Sequence, residues 1–407
     1  MSNKMEDKMI YQQFGEITGW DELTEVLLCI DEDRPLEFLI TILPQDKPAF
    51  AILAFAANLK ALPIKLTPRN LLKPQANGGL FYPRLEQSEI QALANSEILL
   101  TVGPDGSYSG TWKSEDKTGS VTFHAPQPES NLEVKVLKDW QAFKHWVSEA
   151  RSQLDVSLFR GHGSNNFTLS TTLHRAGRNR MERYCSEVLS RFHNEAQAEL
   201  GVRLDMNNGE DYSVVLGLAQ HHGLPTPLLD WTESPYIAAF FAFSDALDAT
   251  HRNDSHVRIF ALTRKFVEGS SPINVVLTRP NPFAASLKIS WLHNVRLRAQ
   301  QGRFLITNVG NFEAWLRKIE QELGDQYLYA VDIPIEYATE ALQDLAFMGL
   351  TAATMFPGLD GICRALRHEM TFTKISTKAA SLPASGQANV NQSETESESS
   401  FVPSKPS

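Results

Sequence analysis

Residues 218–243 decide the fold of the larger part of the chain. They read Leu218-Ala-Gln-His-His-Gly-Leu-Pro-Thr226, Pro227-Leu-Leu-Asp-Trp-Thr-Glu233 and Ser234-Pro-Tyr-Ile-Ala-Ala-Phe-Phe-Ala-Phe243. The first piece closes a helix predicted over 211–220, which Gly223 ends. Ser234 can cap a helix and proline is tolerated at the first helical position, so a second helix is predicted to begin there. Because that helix is apolar on every side, it must be buried.

The segments on either side of this stretch alternate between helical and strand patterns. Apolar residues at helical spacing predict helices over 137–152, 181–202 and 336–347. Short runs rich in aliphatic and aromatic residues predict the strands 156–159, 257–262, 304–307 and 327–333. This mixture predicts an α+β domain over residues 131–374, with helices packed on a mixed or antiparallel sheet.

Residues 1–130 are predicted to form a small α+β domain of their own, since 407 residues are enough for two hydrophobic cores. Helical spacing of apolar residues predicts a helix over 20–28, and an alanine- and leucine-rich composition predicts another over 50–62. A buried strand is predicted over 38–43 and a hairpin over 108–124. The N-terminal unit is thus expected to contain both helices and strands.

Two further segments divide the chain. Pro126 and Pro128 mark a linker between the two domains. Residues 375–407 lose aromatic and aliphatic side chains and fill with Ser, Thr, Glu, Gln and Pro. Such a composition buries too little apolar surface to offset the entropy of ordering, so a disordered tail is predicted there.

Composition and charge exclude several classes of protein. The net charge of −10 argues against a protein that coats nucleic acid through its overall field. The longest apolar runs, such as 236–243, fall far short of the roughly 20 residues of a membrane span. Three widely separated cysteines, none in a metal-type pair, fit reduced thiols, and the N-terminus lacks the pattern of a secretory signal. A cytoplasmic protein without a membrane segment is expected.

Four segments, taken in order, resemble the FRG family. They are Leu158-Phe-Arg-Gly-His162 with Ser170-Thr-Thr-Leu-His-Arg175 after it, then residues 218–242, then Arg298-Ala-Gln-Gln-Gly-Arg-Phe304, and finally residues 349–361. The chain departs from the family at Pro227, where the pattern usually has arginine. The resemblance implies an FRG domain over 131–374, a kind of domain found mainly in bacterial and phage-associated proteins. It suggests an effector in phage defence or a toxin-like system.

Arg160 is the first candidate for ligand binding. It stands at the end of the predicted strand 156–159, with Gly161 and Gly163 behind it, where backbone can approach a ligand closely. Its planar fork of donors suits a phosphate or carboxylate. A structural ion pair with Asp230 is the other interpretation. Arg160 also heads a candidate phosphate-binding strip: Arg160, Arg175, Arg178, Arg180 and Arg183.

Gln220, His221 and His222 precede a Gly-Leu-Pro turn. Adjacent histidines on a helix point about 100° apart and do not ligate one metal together, so no metal site is predicted. One of them is a candidate general acid or base, because imidazole titrates near neutrality. In the alternative interpretation, Gln220 and His222 hydrogen-bond the segment 228–231 and hold it in place.

Asp230 lies between Leu229 and Trp231, an apolar setting in which a charge is costly unless it is paired. The simplest interpretation is an Asx-type hydrogen bond to Thr232 and the helix start at Ser234. A catalytic carboxylate is the alternative.

One enzyme class shares part of this pattern. In the Arg-Ser-Glu group of ADP-ribosyltransferases, a strand arginine holds the dinucleotide phosphates, a Ser-Thr pair follows, and a late glutamate stabilises the ribosyl cation. Arg160, Ser170 and Thr171 resemble the first two elements, whereas the third position has Gln301 and not glutamate. Asp230 or Glu233 is then the candidate carboxylate. Arg296, Arg298 and Arg303 surround Gln300 and Gln301 and are expected to add positive charge to the same pocket.

The sequence therefore predicts that the FRG domain binds a nucleotide-like phosphorylated ligand and acts as an ADP-ribosyltransferase-like or glycosyl-transferring effector, with NAD as the cofactor that the comparison suggests. The alternative is a non-enzymatic ligand-sensing module whose residues 1–130 bind a protein partner; nucleic acid is not expected. The predicted catalytic residues are Arg160, Ser170, His222, Asp230 and Gln301, and the predicted cofactor-binding residues are Arg160, Gly161, Thr171, Arg175, Gln220 and Arg298.

Overall fold

Two β-sheets organise the protein, seen in a computed structural model that describes residues 12–20, 23–125, 132–248, 254–270, 275–287 and 295–380. The first sheet belongs to the N-terminal unit. Its elements are β1 (Gln12–Ile17), β2 (Thr24–Cys29), β3 (Glu37–Leu43), β4 (Phe50–Ala56), β5 (Ile64–Pro74), β6 (Leu80–Phe81), α1 (Gln87–Ala94), β7 (Glu97–Val102), β8 (Tyr108–Lys113) and β9 (Thr118–Phe123).

In the part of the chain that the structure describes, eight of these strands close into an antiparallel barrel. Their order is β4-β3-β2-β1-β9-β8-β7-β5, and β5 pairs back onto β4. Apolar side chains such as Leu28, Phe38 and Phe123 fill the interior. Side chains on the outer face, among them Leu27 and Leu53, form a second buried cluster. The barrel is therefore a solid, packed unit with buried residues on both sides of its wall.

This burial on two sides explains two wrong predictions. The helix predicted over 20–28 is strand β2 within the described residues, and the one predicted over 50–62 begins as strand β4. A strand covered on both faces carries a continuous apolar run, and periodicity alone does not distinguish such a run from a buried helix. The strand over 38–43 and the hairpin of β8 with β9 are confirmed. The expected α+β N-terminal unit is thus mostly β, with α1 as its helix among the described residues.

The second sheet carries the rest of the chain. Its strands are β10 (Val134–Val136), β11 (Val156–His162), β12 (Leu228–Thr232), β13 (His256–Thr263), β14 (Ala284–Leu287), β15 (Gly302–Thr307) and β16 (Leu328–Pro334). They lie in the order β10-β16-β13-β11-β12-β15-β14. β10 pairs with β16 in parallel and the other pairs are antiparallel, which confirms a mixed sheet.

Helices cover both faces of this sheet, and the α+β class is confirmed. They are α2 (Trp140–Gln153), α3 (Thr172–Arg175), α4 (Met181–Arg183), α5 (Ser190–Leu200), α6 (Gly209–His221), α7 (Pro235–Asp248), α8 (Arg264–Gly269), α9 (Val295–Ala299), α10 (Phe312–Leu323), α11 (Ala338–Phe347), α12 (Ala352–Met355) and α13 (Leu359–Ala380). A π-helical turn, Tyr184–Leu189, joins α4 to α5, and a 3₁₀ turn, Ile335–Tyr337, precedes α11. Helices α2, α7 and α11 share one hydrophobic core, whereas α10 packs into another.

Two further expectations concern the chain's other segments. The tail predicted from residue 375 begins as helix, because α13 continues to Ala380; residues 381–407 lie outside the described residues, as do Pro126 and Pro128 of the predicted linker. Within the described residues, no helix has both the length and the apolar character needed to cross a lipid bilayer.

The apolar helix α7 is buried as predicted, and Gly161 of β11 sets how closely it approaches the sheet. A Cβ atom at Gly161 would lie 1.9 Å from the carbonyl oxygen of Ala238. This glycine therefore serves helix packing, in addition to lining a cavity described below. The role first expected of it was close approach to a ligand.

Replacing this glycine tests the packing directly. Gly161→Ala is expected to lower the free energy of unfolding by about 2 to 3 kcal/mol, because backbone must shift to admit the methyl group. Urea denaturation measures the loss. Gly269→Ala is the matched control, since nothing lies within 4 Å of the Cβ position there. Equal stability of the two variants would contradict the close-packing argument.

Candidate functional site

A cavity of about 790 Å³ opens where β11, β12 and β15 meet the end of α6 and helix α9. The side chains that line it include Arg160, His162, Phe167, Arg175, Gln220, His221, Asp230, Phe241, Asp245, Arg296, Gln300, Arg303, Phe356 and Arg364. Segments more than 130 residues apart in sequence thus converge on one cleft, as the sequence predicted for Arg160, Gln220 and Arg303.

Arg160 forms part of the wall of this cleft. Its Nε donates to Nε2 of His162 at 3.0 Å, and one terminal nitrogen donates to the backbone carbonyl oxygen of Asp230. The nearest carboxylate oxygen of Asp230 is 3.9 Å away, so the expected alternative of an ion pair is present only as a loose contact. Burial lowers the pKa of Arg160, Asp230 raises it and Arg175 lowers it further. With 17% of its side chain exposed, the guanidinium remains within reach of a ligand.

Asp230 faces the cleft and is 60% exposed, because side chains alternate along β12 and its neighbours Leu229 and Trp231 point into the core. The expected Asx-type bond to Thr232 is wrong. The start of α7 is held instead by Thr232, whose Oγ1 accepts from the amide of Ser234 at 3.1 Å. The Asp230 carboxylate therefore has room for a ligand.

Gln220 holds this carboxylate from the end of α6. Its Nε2 donates to Oδ2 of Asp230 at 2.9 Å, and its Oε1 accepts from Oγ1 of Thr226. The carboxylate fixes which way the amide points, because it can only accept and so requires the NH₂ group on its side, which leaves the carbonyl oxygen to accept from the hydroxyl. This contact supports the interpretation in which Gln220 holds the segment 228–231 in place.

The remaining cations of the cleft fall into two groups. Arg303 lies 2.5 Å from Glu233 and Arg364 lies 2.7 Å from Asp248, so both are neutralised locally. Arg175 and Arg296 have no carboxylate within 4 Å among the residues that the structure describes; Arg175 donates to the carbonyl oxygen of Ser170. Together with Arg160, they give the cleft a local excess of positive charge in a chain that is acidic overall.

The predicted Ser-Thr pair lies outside the cavity lining. Thr171 is fully buried and caps α3, its Oγ1 accepting from the amide of His174 at 3.2 Å. Ser170 precedes this cap, and its carbonyl oxygen accepts from Arg175. Both residues therefore position Arg175, and neither is placed to contact a ligand in the cleft directly.

Two other predicted residues, His222 and Gln301, are displaced from the cavity by one position in sequence. His222 ends α6 and is exposed outside the lining, whereas His221 lines the cavity, with a pKa lowered by burial, His222 and Arg296. Gln301 adopts a left-handed backbone conformation with φ +46° and is exposed. Gln300 lines the cavity, and its Nε2 donates to the carbonyl oxygen of Met355 at 3.0 Å.

Four of the predicted arginines also lie outside the cleft. Arg298 is exposed outside the lining, and Arg296, two residues earlier on α9, lines the cavity in its place. The predicted phosphate-binding strip divides in two, because Arg178, Arg180 and Arg183 turn away from the cleft. They form ion pairs with acidic residues of the barrel: Asp31, Asp33 and Glu37.

His162 lines the cleft but was not among the predicted site residues. Position i+2 on a strand shares the face of position i, so its closeness to Arg160 could have been foreseen. It is buried, and desolvation together with Arg160 lowers its pKa to about 3. His174, behind the cleft, has its pKa lowered to about 4 by burial.

These neutral histidines make stability depend on pH. Each is charged below a pKa of about 6.5 when the chain is unfolded, so below that pH the unfolded state binds more protons and stability falls. Lowering the pH from 7 to 5 is expected to remove about 2 kcal/mol of unfolding free energy for each of His162 and His174. Urea denaturation across this range measures the loss. His174→Gln should reduce the dependence by about half.

Comparison with known proteins gives one match. The family model of the FRG domain matches residues 155–251, the segment that carries β11, α6, β12 and α7. No curated protein and no solved structure matches the chain. The outer bounds 131–374 expected for the domain extend beyond this match and stay a prediction. Arg160, Gln220 and Asp230 lie inside this match, so these cleft residues belong to an FRG domain that the chain carries over residues 155–251.

Proposed function

We propose that the FRG domain binds a phosphorylated, nucleotide-like ligand in the cleft beside Arg160. The observation that supports this best is the group of three arginines, Arg160, Arg175 and Arg296, that line one cavity and have no tightly paired carboxylate among the residues that the structure describes. Arginine recognises phosphate oxygens through paired N–H donors. A cavity of about 790 Å³ is also of the size that small-molecule sites usually have.

The aromatic side chains of the cleft support the nucleotide part of the proposal. Phe167 is 43% exposed, and it lines the same cavity as Phe241 and Phe356. An aromatic base or an apolar sugar face packs well on such rings, whereas phosphates pair with the arginines. The cleft therefore offers both kinds of surface that a nucleotide needs.

Transfer of an ADP-ribosyl or glycosyl group is the reaction that we propose for this site. A developing ribosyl cation is stabilised by a nearby carboxylate. Glu233 is occupied by Arg303, which leaves Asp230, exposed and oriented by Gln220, as the carboxylate for this role. The resemblance to phage-associated proteins extends the proposal to an effector in defence or a toxin-like system.

A ligand-sensing module without catalysis is the second candidate, favoured by one observation. The segment where an ADP-ribosyltransferase would carry glutamate reads Gln300-Gln301-Gly302 here. Gln301 lies outside the cavity lining, and the amide of Gln300, which lines it, donates to the carbonyl oxygen of Met355. An amide can orient a ligand but cannot neutralise a cation. Turnover decides between the two candidates.

Calorimetric titration with ADP, pyrophosphate and adenosine tests the binding proposal. ADP should bind most tightly, pyrophosphate should bind more weakly, and adenosine weakest of all, because the arginines recognise phosphate. Binding of ADP and pyrophosphate should weaken as salt is raised. Equal affinity for adenosine and ADP would refute a phosphate site.

Incubation with labelled NAD then tests the reaction. Release of nicotinamide or labelling of protein that is lost in Asp230→Asn supports transfer. ADP binding without any turnover of NAD supports the sensor. Growth arrest on expression that Arg160→Ala relieves would support the effector role.

A further inference from the structure

We propose that His162 is a positioning residue that orients the guanidinium of Arg160 toward an anion without cancelling its charge. The inference rests on the proposed phosphate-binding function and adds the device that prepares the site for it. It follows from the contacts that hold Arg160 and from a second arginine of the chain that is held differently.

The hydrogen bonds of His162 fix the state of its ring. Nε of Arg160 carries a hydrogen and lies 3.0 Å from Nε2 of His162, so Nε2 must accept and carry no proton. Nδ1 lies 3.3 Å from the carbonyl oxygen of Phe167, an acceptor, so Nδ1 carries the proton and donates. Both contacts require the same neutral tautomer. The low pKa of the buried ring, about 3, agrees with it.

Packing keeps the ring in this place. His162 is 8% exposed, and its ring meets the edges of two phenyl rings, Phe260 at 5.1 Å and Phe167 at 6.2 Å between centroids. A side chain confined in this way loses little further freedom when a ligand binds. The acceptor for Arg160 is therefore preorganised.

Both groups that hold Arg160 are formally neutral. Nε donates to the imidazole, and one terminal nitrogen donates to the backbone carbonyl oxygen of Asp230. Neither bond uses the second terminal nitrogen. The nearest carboxylate oxygen, on Asp230, lies 3.9 Å from a terminal nitrogen of Arg160 and makes only a loose ion-pair contact. Among the described residues, no close carboxylate therefore cancels the charge of Arg160, and its second terminal nitrogen can donate to a ligand while the side chain is held in its orientation.

Arg180 provides the internal comparison. It stands two residues before Glu182, the same spacing as Arg160 and His162, and its Nε donates to Oε1 of Glu182 at 2.8 Å. A terminal nitrogen pairs with Glu37, so carboxylates neutralise this arginine, and only 3% of its side chain is exposed. The two pairs have the same spacing in sequence but different acceptors. The carboxylate of Glu182 makes Arg180 part of a structural ion pair, whereas the imidazole of His162 leaves Arg160 available to a ligand.

Three substitutions of His162 separate orientation, charge and packing, with ADP and pyrophosphate as the probes. His162→Gln retains a neutral acceptor, His162→Phe retains the ring without an acceptor, and His162→Glu retains an acceptor but adds negative charge. ADP affinity should fall by less than about threefold for Gln, about tenfold for Phe and at least about thirtyfold for Glu. His193→Phe is the control. His193 lies on α5, outside the cleft lining, and its ring bonds the carbonyl oxygen of Leu204 in the loop that follows this helix.

Thermal melting of each variant keeps the test independent of folding. The carboxylate of His162→Glu pairs with Arg160, so this variant should melt no lower than His162→Phe while binding ADP more weakly. A purely structural histidine would give the opposite: affinity that follows melting temperature across the three variants. That result, or equal ADP affinity for Gln and Glu, overturns the inference while the phosphate-binding proposal stands. If the wild type binds neither ADP nor pyrophosphate, both fail.

Discussion

Arg160→Ala is expected to weaken ADP binding by about 10- to 150-fold. A hydrogen bond to a charged group contributes about 1.5–3 kcal/mol, and each 1.4 kcal/mol is a factor of ten in affinity. The substitution also leaves Nε2 of His162 without its donor and exposes the carbonyl oxygen of Asp230. Calorimetric titration at one fixed salt concentration measures the change.

Two variants make the Arg160 result specific. Arg160→Lys keeps a charge but loses the planar fork, so it should bind ADP with intermediate affinity. Arg191→Ala removes an arginine on an exposed helix face, paired with Glu195 at 2.9 Å, and should leave affinity unchanged. ADP binding by Arg160→Ala at the wild-type level would mean that the cleft arginines do not hold the phosphates.

Asp31→Ala should give the largest loss of stability, about 3 to 5 kcal/mol, because it removes one partner of a buried ion pair. The Asp31 carboxylate is 3% exposed and lies between the barrel and the FRG domain. It accepts from the amides of Asn179 at 2.7 Å and Arg180 at 3.0 Å, and from a terminal nitrogen of Arg183 at 2.8 Å. Without it, the amides of Asn179 and Arg180 are buried and unpaired, and Arg183 keeps only its more exposed partners Asp33 and Glu187. Urea denaturation followed by tryptophan fluorescence measures the loss.

A matched pair across the same two units serves as the control. Glu25 and Lys318 also join the barrel to the domain, at 3.1 Å, but both side chains are more than half exposed. Glu25→Ala should therefore cost less than about 1 kcal/mol. Asp31→Asn keeps an acceptor for the amides and should fall between the two. A loss for Asp31→Ala no greater than for Glu25→Ala would show that this network does not stabilise the protein.

The Asp31 network also bears on the site. Gly177, between Arg175 of the cleft and Arg178 of the network, accepts from the backbone amide of Glu32 at 2.8 Å. The barrel therefore holds the segment that follows α3, and with it the end of the helix that carries Arg175. We infer from this connection that the barrel helps to shape the cleft. This role is separate from the protein binding that the sequence predicted for residues 1–130.

The sequence alone determined the features that depend on near neighbours in the chain. Turn residues and caps place α6 and α7 correctly, because Gly223, Ser234 and Pro235 act locally through backbone conformation. Strand β12, which lies between these helices, was not among the predicted strands. The apolar pattern of α7 required burial without any knowledge of its partner. The motif residues of 155–251 identified the FRG domain for the same reason.

Only the tertiary structure decided which side chains reach the cleft and which pair elsewhere. One residue on a helix is a rotation of about 100°, so His221 faces the cavity and His222 does not. Burial on both faces made β2 and β4 look helical. The sequence predicted a phosphate-binding role for Arg178, Arg180 and Arg183. In the fold, these arginines instead pair with carboxylates of the barrel that are more than 140 residues away in sequence. Charge partners at that separation leave no local pattern in a sequence, because the contact exists only once the two units have packed together.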